Sequence, residues 1–179
     1  VFEEKKLEEM DVVFLMDRFG YAKTIDLTAY DRNREAADAE NKFVFQCKNT
    51  GRICLFTNNG QLYTVKVQDL PFGKFRDKGI PIDNVSNFNS SQEELLLVTS
   101  QSELNLYRVI FTTRMGMIKV VDGGEFDVAK RTVAATKLQE GDEVVSVIMM
   151  KEQKNVILQS KDGYFLRFGV DEIPEKKKA

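Results

Sequence analysis

Four stretches of the chain share one pattern: an apolar run, a short turn that ends in glycine, and a second run in which apolar and polar residues alternate. The first copy is 12–16, turn 17–20, then 21–27; the second is 53–57, turn 58–60, then 61–67. The third is 109–113, turn 114–116, then 117–121, and the fourth 156–160, turn 161–163, then 164–168. Glycine at the end of each turn accepts the backbone angles that tight hairpins demand. The flanks are rich in β-branched and aromatic residues, so each copy predicts a β-hairpin.

The turn glycines Gly20, Gly60, Gly116 and Gly163 recur at roughly 40 to 55 residues, about the length of a four-stranded propeller blade. Further strands are expected at 42–47, 94–100 and 143–150, each leading into the next hairpin. The segments 81–88 and 131–138 are expected to supply fourth strands. The matching place after the first hairpin, 31–40, is polar and Ala-rich and is expected to be a mobile loop or helical turn. The pattern predicts an all-β fold, a propeller or pinwheel of about four blade-like repeats, incomplete or open. Residues 1–9 read as a linker. The repeats run about 10–42, 43–90, 91–140 and 141–179, the last incomplete.

Composition narrows the function. Hydrophobic residues make up 42% of the chain, with 13 Phe, which is globular rather than disordered material. No apolar run approaches the ~20 residues of a membrane span. The Glu- and Lys-rich start does not resemble a signal peptide, so a cytoplasmic protein without membrane partners is expected. There is no histidine, the side chain best suited to moving protons near neutral pH and the usual partner of a Ser or Cys nucleophile. Phosphate-cradling glycine loops are also missing. The two cysteines, Cys47 and Cys54, cannot alone supply the four ligands of a zinc site and read as thiols in neighbouring strands. No catalytic residue, cofactor site or metal site is expected. The net charge of −2 owes much to the acidic start, where Glu3, Glu4, Glu8, Glu9 and Asp11 outnumber Lys5 and Lys6. The rest is nearly balanced, which permits a local basic stripe.

Three phrases between the hairpins carry a family resemblance. They are Lys78-Gly79-Ile80-Pro81-Ile82-Asp83-Asn84, then Lys137-Leu138-Gln139-Glu140-Gly141-Asp142-Glu143-Val144-Val145. The third is Asp162-Gly163-Tyr164-Phe165-Leu166-Arg167-Phe168 with Asp171-Glu172-Ile173-Pro174 after it. In order, they resemble the C-terminal domains of bacterial DNA gyrase and topoisomerase IV A subunits, from about residue 10 onward. The resemblance implies a β-pinwheel in which each blade gives a strand to a neighbour and duplex DNA bends around a basic rim. It also implies two protein partners, the ATPase B subunit together with the remainder of the A subunit. The catalytic tyrosine, ATP site and cleavage metals would belong to other parts of the holoenzyme. Tyr21 and Tyr164 read as strand residues, and this piece is expected to be non-catalytic.

In the resembling family the rim position is the Lys or Arg three or four residues after the turn glycine. The matching residues are Lys23, Lys119 and Arg167. The second blade departs with Tyr63 and Thr64, though Lys66 follows. Arg18 and Arg114 in the turns, Arg32 and Arg34 after the first hairpin, and Lys74, Arg76, Lys78, Lys130 and Arg131 in loops join the expected rim. Such residues neutralise phosphates without reading sequence. A lysine on an exposed strand is ordinarily just solvated, and also guards the edge against aggregation. A protein-interaction propeller without direct DNA binding is therefore the alternative.

Gyrase A subunits resembling this chain carry a Gln-Arg-Arg-Gly-Gly-Lys-Gly box after the first hairpin. Here that place reads Tyr30-Asp31-Arg32-Asn33-Arg34-Glu35-Ala36-Ala37. The arginines remain, the glycines do not, and acids intrude, which leans toward topoisomerase IV or a divergent paralogue without strong DNA wrapping. The last residues fall where the family would begin another blade, so a piece of a longer wheel is expected.

Overall fold

The computed structural model describes residues 7–151 and 155–178. Most of the expected linker, 1–6, lies outside the described residues. Among the described residues thirteen strands run in chain order as β1 (Asp11–Asp17), β2 (Tyr21–Asp26), β3 (Asn41–Lys48), β4 (Arg52–Thr57), β5 (Gln61–Lys66), β6 (Ile80–Pro81), β7 (Leu95–Ser100), β8 (Arg108–Thr113), β9 (Ile118–Asp122), β10 (Thr132–Ala134), β11 (Val144–Met150), β12 (Asn155–Gln159) and β13 (Phe165–Gly169). Three short helices interrupt them: α1 (Leu27–Arg32), α2 (Arg34–Glu40) and α3 (Gln101–Leu104). All four expected hairpins form, as β1–β2, β4–β5, β8–β9 and β12–β13. Their turn glycines sit at φ of 72° to 85°, where a side chain on the residue would be strained.

The sheets are ordered β3-β1-β2-β6, β10-β5-β4-β7, β11-β8-β9 and β12-β13. One feature corrects the reading of the hairpin pattern, and a second bears out the strand exchange that the family resemblance implies. The strands expected to lead into the following hairpin pair backward instead: β3 adds to β1, β7 to β4 and β11 to β8. The fourth strands exist but are two or three residues long, and each joins the blade before the one it follows. Thus β6 comes after the second hairpin and pairs with β2, while β10 comes after the third and pairs with β5.

One local route repeats. The second strand of each later hairpin leaves through a single 3₁₀ turn, at Val67–Asp69, Gly123–Phe126 and Val170–Glu172. The chain then crosses to the outer strand of the preceding blade. Thr24 N–H donates to Pro71 O at 2.9 Å, Thr64 N–H to Arg131 O at 2.9 Å, and Lys176 N–H to Val120 O at 2.7 Å. The backbone of Gly79 lies so close to β2 that a Cβ there would sit 2.5 Å from Ala22 O, at φ +80°. Three such return segments knit four hairpins into one stack.

Strand alternation sends side chains to two faces, and each seam between blades is an apolar cluster. Val12, Phe14 and Met16 of the first blade meet Ile53, Leu55 and Val65 of the second. Cys54, Phe56 and Leu62 on the other face of the second meet Val109, Phe111 and Val121, with Phe126 filling the seam. Ile110 and Val120 meet Val170, with Val156 of the fourth hairpin against them. The remaining face of the first blade, Val13, Leu15 and Ile25, is covered by Ala37, Leu27 and Tyr30 of the helices. Here 31–40 is helical: the Asp26 carboxylate caps α1 by accepting from Ala29 N–H at 2.7 Å, and α2 draws on Ala-rich sequence.

Candidate nucleic-acid interface

The register places the three expected hairpin rim residues on different faces. Lys23 lies across from Leu15, on the face that the helices cover, and Lys119 across from Phe111, on the equivalent face of the third blade, which meets the second. The same place in the fourth hairpin is Leu166, across from Leu158. Arg167 is one residue later and lies across from Ile157, on the outward face. Its counterparts in the other hairpins are Thr24, Thr64 and Val120, all buried. A one-residue step in a strand reverses the face.

The return segments bring basic residues together more consistently than the hairpins do. On the first blade, Lys74, Arg76 and Lys78 are exposed along the segment that crosses β2. Lys23, Arg76 and Lys78 border one groove of about 410 Å³, where Asp17, Glu40 and Asp77 also lie. The ammonium of Lys78 sits 4.6 Å from the Tyr21 ring centre. Lys23 reaches beneath the segment: its ammonium donates to Phe75 O and, at 2.5 Å, to Asp77 O. Burial pushes its pKa below the ordinary lysine value, against the pull of Asp77, Glu40 and Asp17.

On the second blade Tyr63 holds the place of Lys23, and its hydroxyl donates to Glu93 at 2.5 Å. Lys130 and Arg131 are nonetheless exposed on the return segment alongside β5, which ends in the exposed Lys66. Arg52 anchors that segment, donating to Val128 O at 2.6 Å and to the Asp127 carboxylate at 2.5 Å.

The third blade carries a cluster that sequence reasoning reached only through Lys119. Lys119, Lys137, Lys176 and Lys177 share a groove of about 370 Å³ floored by Phe111, Ile118 and Leu138. Burial, and then the neighbouring Lys176, lower the Lys119 pKa. The signal for the other three was the basic run 176–178 together with Lys137, which the topology brings to one place.

The remaining expected residues stand apart. Arg18 and Arg114 are at turn tips, Arg18 over the Phe19 ring and Arg114 ion-paired with Glu143. Arg32 and Arg34 are on the helical cover among Asp31, Glu35 and Asp38, and Arg34 pairs with Asp31 at 2.8 Å. Among the described residues no group of three or more His, Cys, Asp or Glu is placed to hold a metal ion, and no helix is long and apolar enough to cross a membrane.

A family model described as the DNA gyrase C-terminal domain, beta-propeller, matches residues 51–88, 107–149 and 154–179, together more than half of the chain. The chain belongs to the DNA gyrase C-terminal domain family. The matched blocks each take in one hairpin and the crossing that follows it. The DNA gyrase A subunit of Streptococcus pyogenes serotype M3 is 26% identical over 178 residues, covering 93% of this chain and 22% of that protein. The DNA gyrase A subunit of Lawsonia intracellularis is 26% identical over 181 residues, 95% of this chain and again 22% of the relative. The chain therefore spans about a fifth of the length of these relatives. Among solved structures, the C-terminal domain of DNA topoisomerase IV superposes with a TM-score of 0.82 at 23% identity, over 97% of this chain and 56% of that one. The E. coli ParC C-terminal domain gives 0.73 at 17%, over 94% and 68%, and a DNA gyrase A C-terminal domain 0.54 at 20%, over 94% and 58%. The pinwheel of this gyrase C-terminal domain family is the fold expected from the repeats, with its sheets open.

Proposed function

We propose that this chain is a non-catalytic DNA-binding and DNA-bending module of a type IIA topoisomerase A subunit, which presents duplex DNA to a cleavage core. Its partners would be duplex DNA, the ATPase B subunit, plus the rest of the A subunit, in the cytoplasm. The observation that carries the reading is the repeated return segment. Three successive blades have their outer strand crossed by a segment with exposed basic side chains: Lys74, Arg76 and Lys78, then Lys130 and Arg131, then Lys176 and Lys177. Charges spaced along one edge suit a phosphate backbone, whose contacts position a duplex without carrying its sequence.

The second reading, a protein-interaction propeller, draws on the outward face of the fourth hairpin, where Ile157 is 62% and Phe165 70% exposed. Fluorescence anisotropy with two unrelated duplexes separates the two. DNA binding predicts similar affinities, on the order of 10⁻⁴ to 10⁻⁶ M at physiological salt, that weaken steeply as salt rises. Absent or salt-insensitive binding would favour the protein partner.

A further inference from the structure

We infer that Lys23 is a positioning residue: it holds the turn 74–77 against the first blade so that Lys74, Arg76 and Lys78 face outward, and it does not itself meet phosphate. The inference rests on the DNA-binding reading above and departs from the expectation that Lys23 is a rim contact.

The segment 71–82 is tied to β2 at both ends. Thr24 N–H donates to Pro71 O and Gly73 N–H returns to Thr24 O at 3.1 Å; beyond the turn, Ile80 pairs with Ala22. Between these anchors the chain leaves the sheet. The excursion closes on itself, because Asp77 N–H donates to Lys74 O at 3.0 Å and Lys74 N–H to the Asp77 carboxylate at 2.8 Å. What fastens it to the blade is the side chain of Lys23. An ammonium has three donors and no acceptor; two of these are taken by Phe75 O and Asp77 O. The Phe75 ring lies 5.3 Å from the same nitrogen and packs toward Val13, Leu15 and Ile25. Inward carbonyls at 75 and 77 alternate with exposed cations at 74, 76 and 78. Bound in this way, Lys23 is poorly placed to release a carbonyl for a phosphate oxygen.

The same position in the second blade behaves alike. Tyr63 grips Glu93 in the loop that leads into β7, and the other carboxylate oxygen of Glu93 accepts from the Thr57 hydroxyl at 2.9 Å. In both blades the residue three after the turn glycine ties down a loop rather than pointing at solvent.

The test uses the 179-residue chain with K23M, K23R, the triple variant K74S/R76S/K78S, and K23M added to that triple. Methionine keeps the apolar stem and removes the donors; arginine restores donors to the two carbonyls. Without DNA, hydrogen exchange of the hydrogen-bonded Lys74 and Asp77 amides is expected to be at least about tenfold faster in K23M and near normal in K23R, since the exchange reports how often the turn opens. With DNA, each lost phosphate contact lowers the salt slope by about 0.9. K23M is expected to lower it by about 2 to 3 and weaken unrelated duplexes equally, K23R to restore it, and K23M to add nothing on top of the triple. Unchanged exchange, or a slope loss near one that adds to the loss in the triple, overturns the inference and makes Lys23 a phosphate contact. If the parent chain binds no duplex at low salt, the DNA reading falls, while faster exchange in K23M still establishes Lys23 as the post for this turn.

Discussion

Lys119 stands directly across the third hairpin from Phe111, and both line the groove that Lys176 enters from the last return segment. The stem of Lys119 thus covers an apolar floor while its charge stays at the mouth, the usual compromise of a half-buried lysine. The first prediction follows from the exposed partners. Replacing Lys137, Lys176 and Lys177 together by serine is expected to lower DNA affinity equally for unrelated duplexes and to reduce the salt slope by about 3. Thermal unfolding should barely move, because exposed charges contribute only tenths of a kcal/mol. A loss confined to one duplex sequence, or a large drop in melting temperature, would remove these lysines from the rim.

Arg52 fastens the second return segment by two contacts, to Val128 O and Asp127. Arg52→Ala leaves that carbonyl without its charged donor. The expected cost is about 1–2 kcal/mol in urea unfolding, reduced from the value for a buried charged hydrogen bond because the side chain is partly exposed. Exchange of amides 129–134 should quicken first. Equal protection in both proteins would show that β10 needs no such anchor.

Phe126 packs edge-on against Phe56 at 5.2 Å and Phe111 at 6.0 Å, and is completely buried. Phe126→Ala should cost about 3–5 kcal/mol, enough to unfold much of a marginally stable stack. A cost below about 1 kcal/mol in urea would mean that the seam between the second and third blades is loosely packed.

Burial pushes the thiols of Cys47 and Cys54 up to about 12 from 9.0. A folded-state pKa above the unfolded one stabilises fully below pH 9 and loses that contribution as pH climbs toward 12. The urea midpoint should therefore decline through this alkaline window, less steeply in a C47A/C54A variant. Iodoacetamide at pH 8 should modify the thiols only after unfolding, since the thiolate is the reactive form. Rapid alkylation of the native chain would contradict their burial.

Bending a 20–30 bp site by 40–90° costs on the order of 1–6 kcal/mol. The fourth hairpin puts Leu166 where the first and third have lysine, and the helical cover mixes its arginines with acids. Bending without stable wrapping is expected. Circular DNA relaxed by a nicking-closing enzyme in the presence of the chain should change little in linking number; a large shift toward positive supercoils would refute this.

The hairpins were legible because glycine, alternation and β-branched residues all mark them locally. What a strand pairs with is not written in its own pattern, so the backward pairing of β3, β7 and β11 was missed. The strands β6 and β10 are too short to show any period, yet they set the connectivity. A count of three or four residues from a glycine groups Arg167 with Lys23, although that window spans both faces of a strand. Nothing local in the run 176–178 shows that the Lys176 N–H bond to Val120 O joins it to the third blade. Local chemistry was readable from the pattern, and the exchange of strands between blades only through the family resemblance.

The cover formed by α1 and α2 gives the stack a finished end. In every later blade the surface equivalent to Val13, Leu15 and Ile25 receives a neighbour, but in the first it is occupied by Ala37, Leu27 and Tyr30. A ring would need that surface to accept its last member, and would have to strip the helices away and expose their apolar side to do so. The two ends of the stack are therefore unlike: the first blade's apolar face is already covered, whereas the fourth hairpin leaves Ile157 and Phe165 exposed.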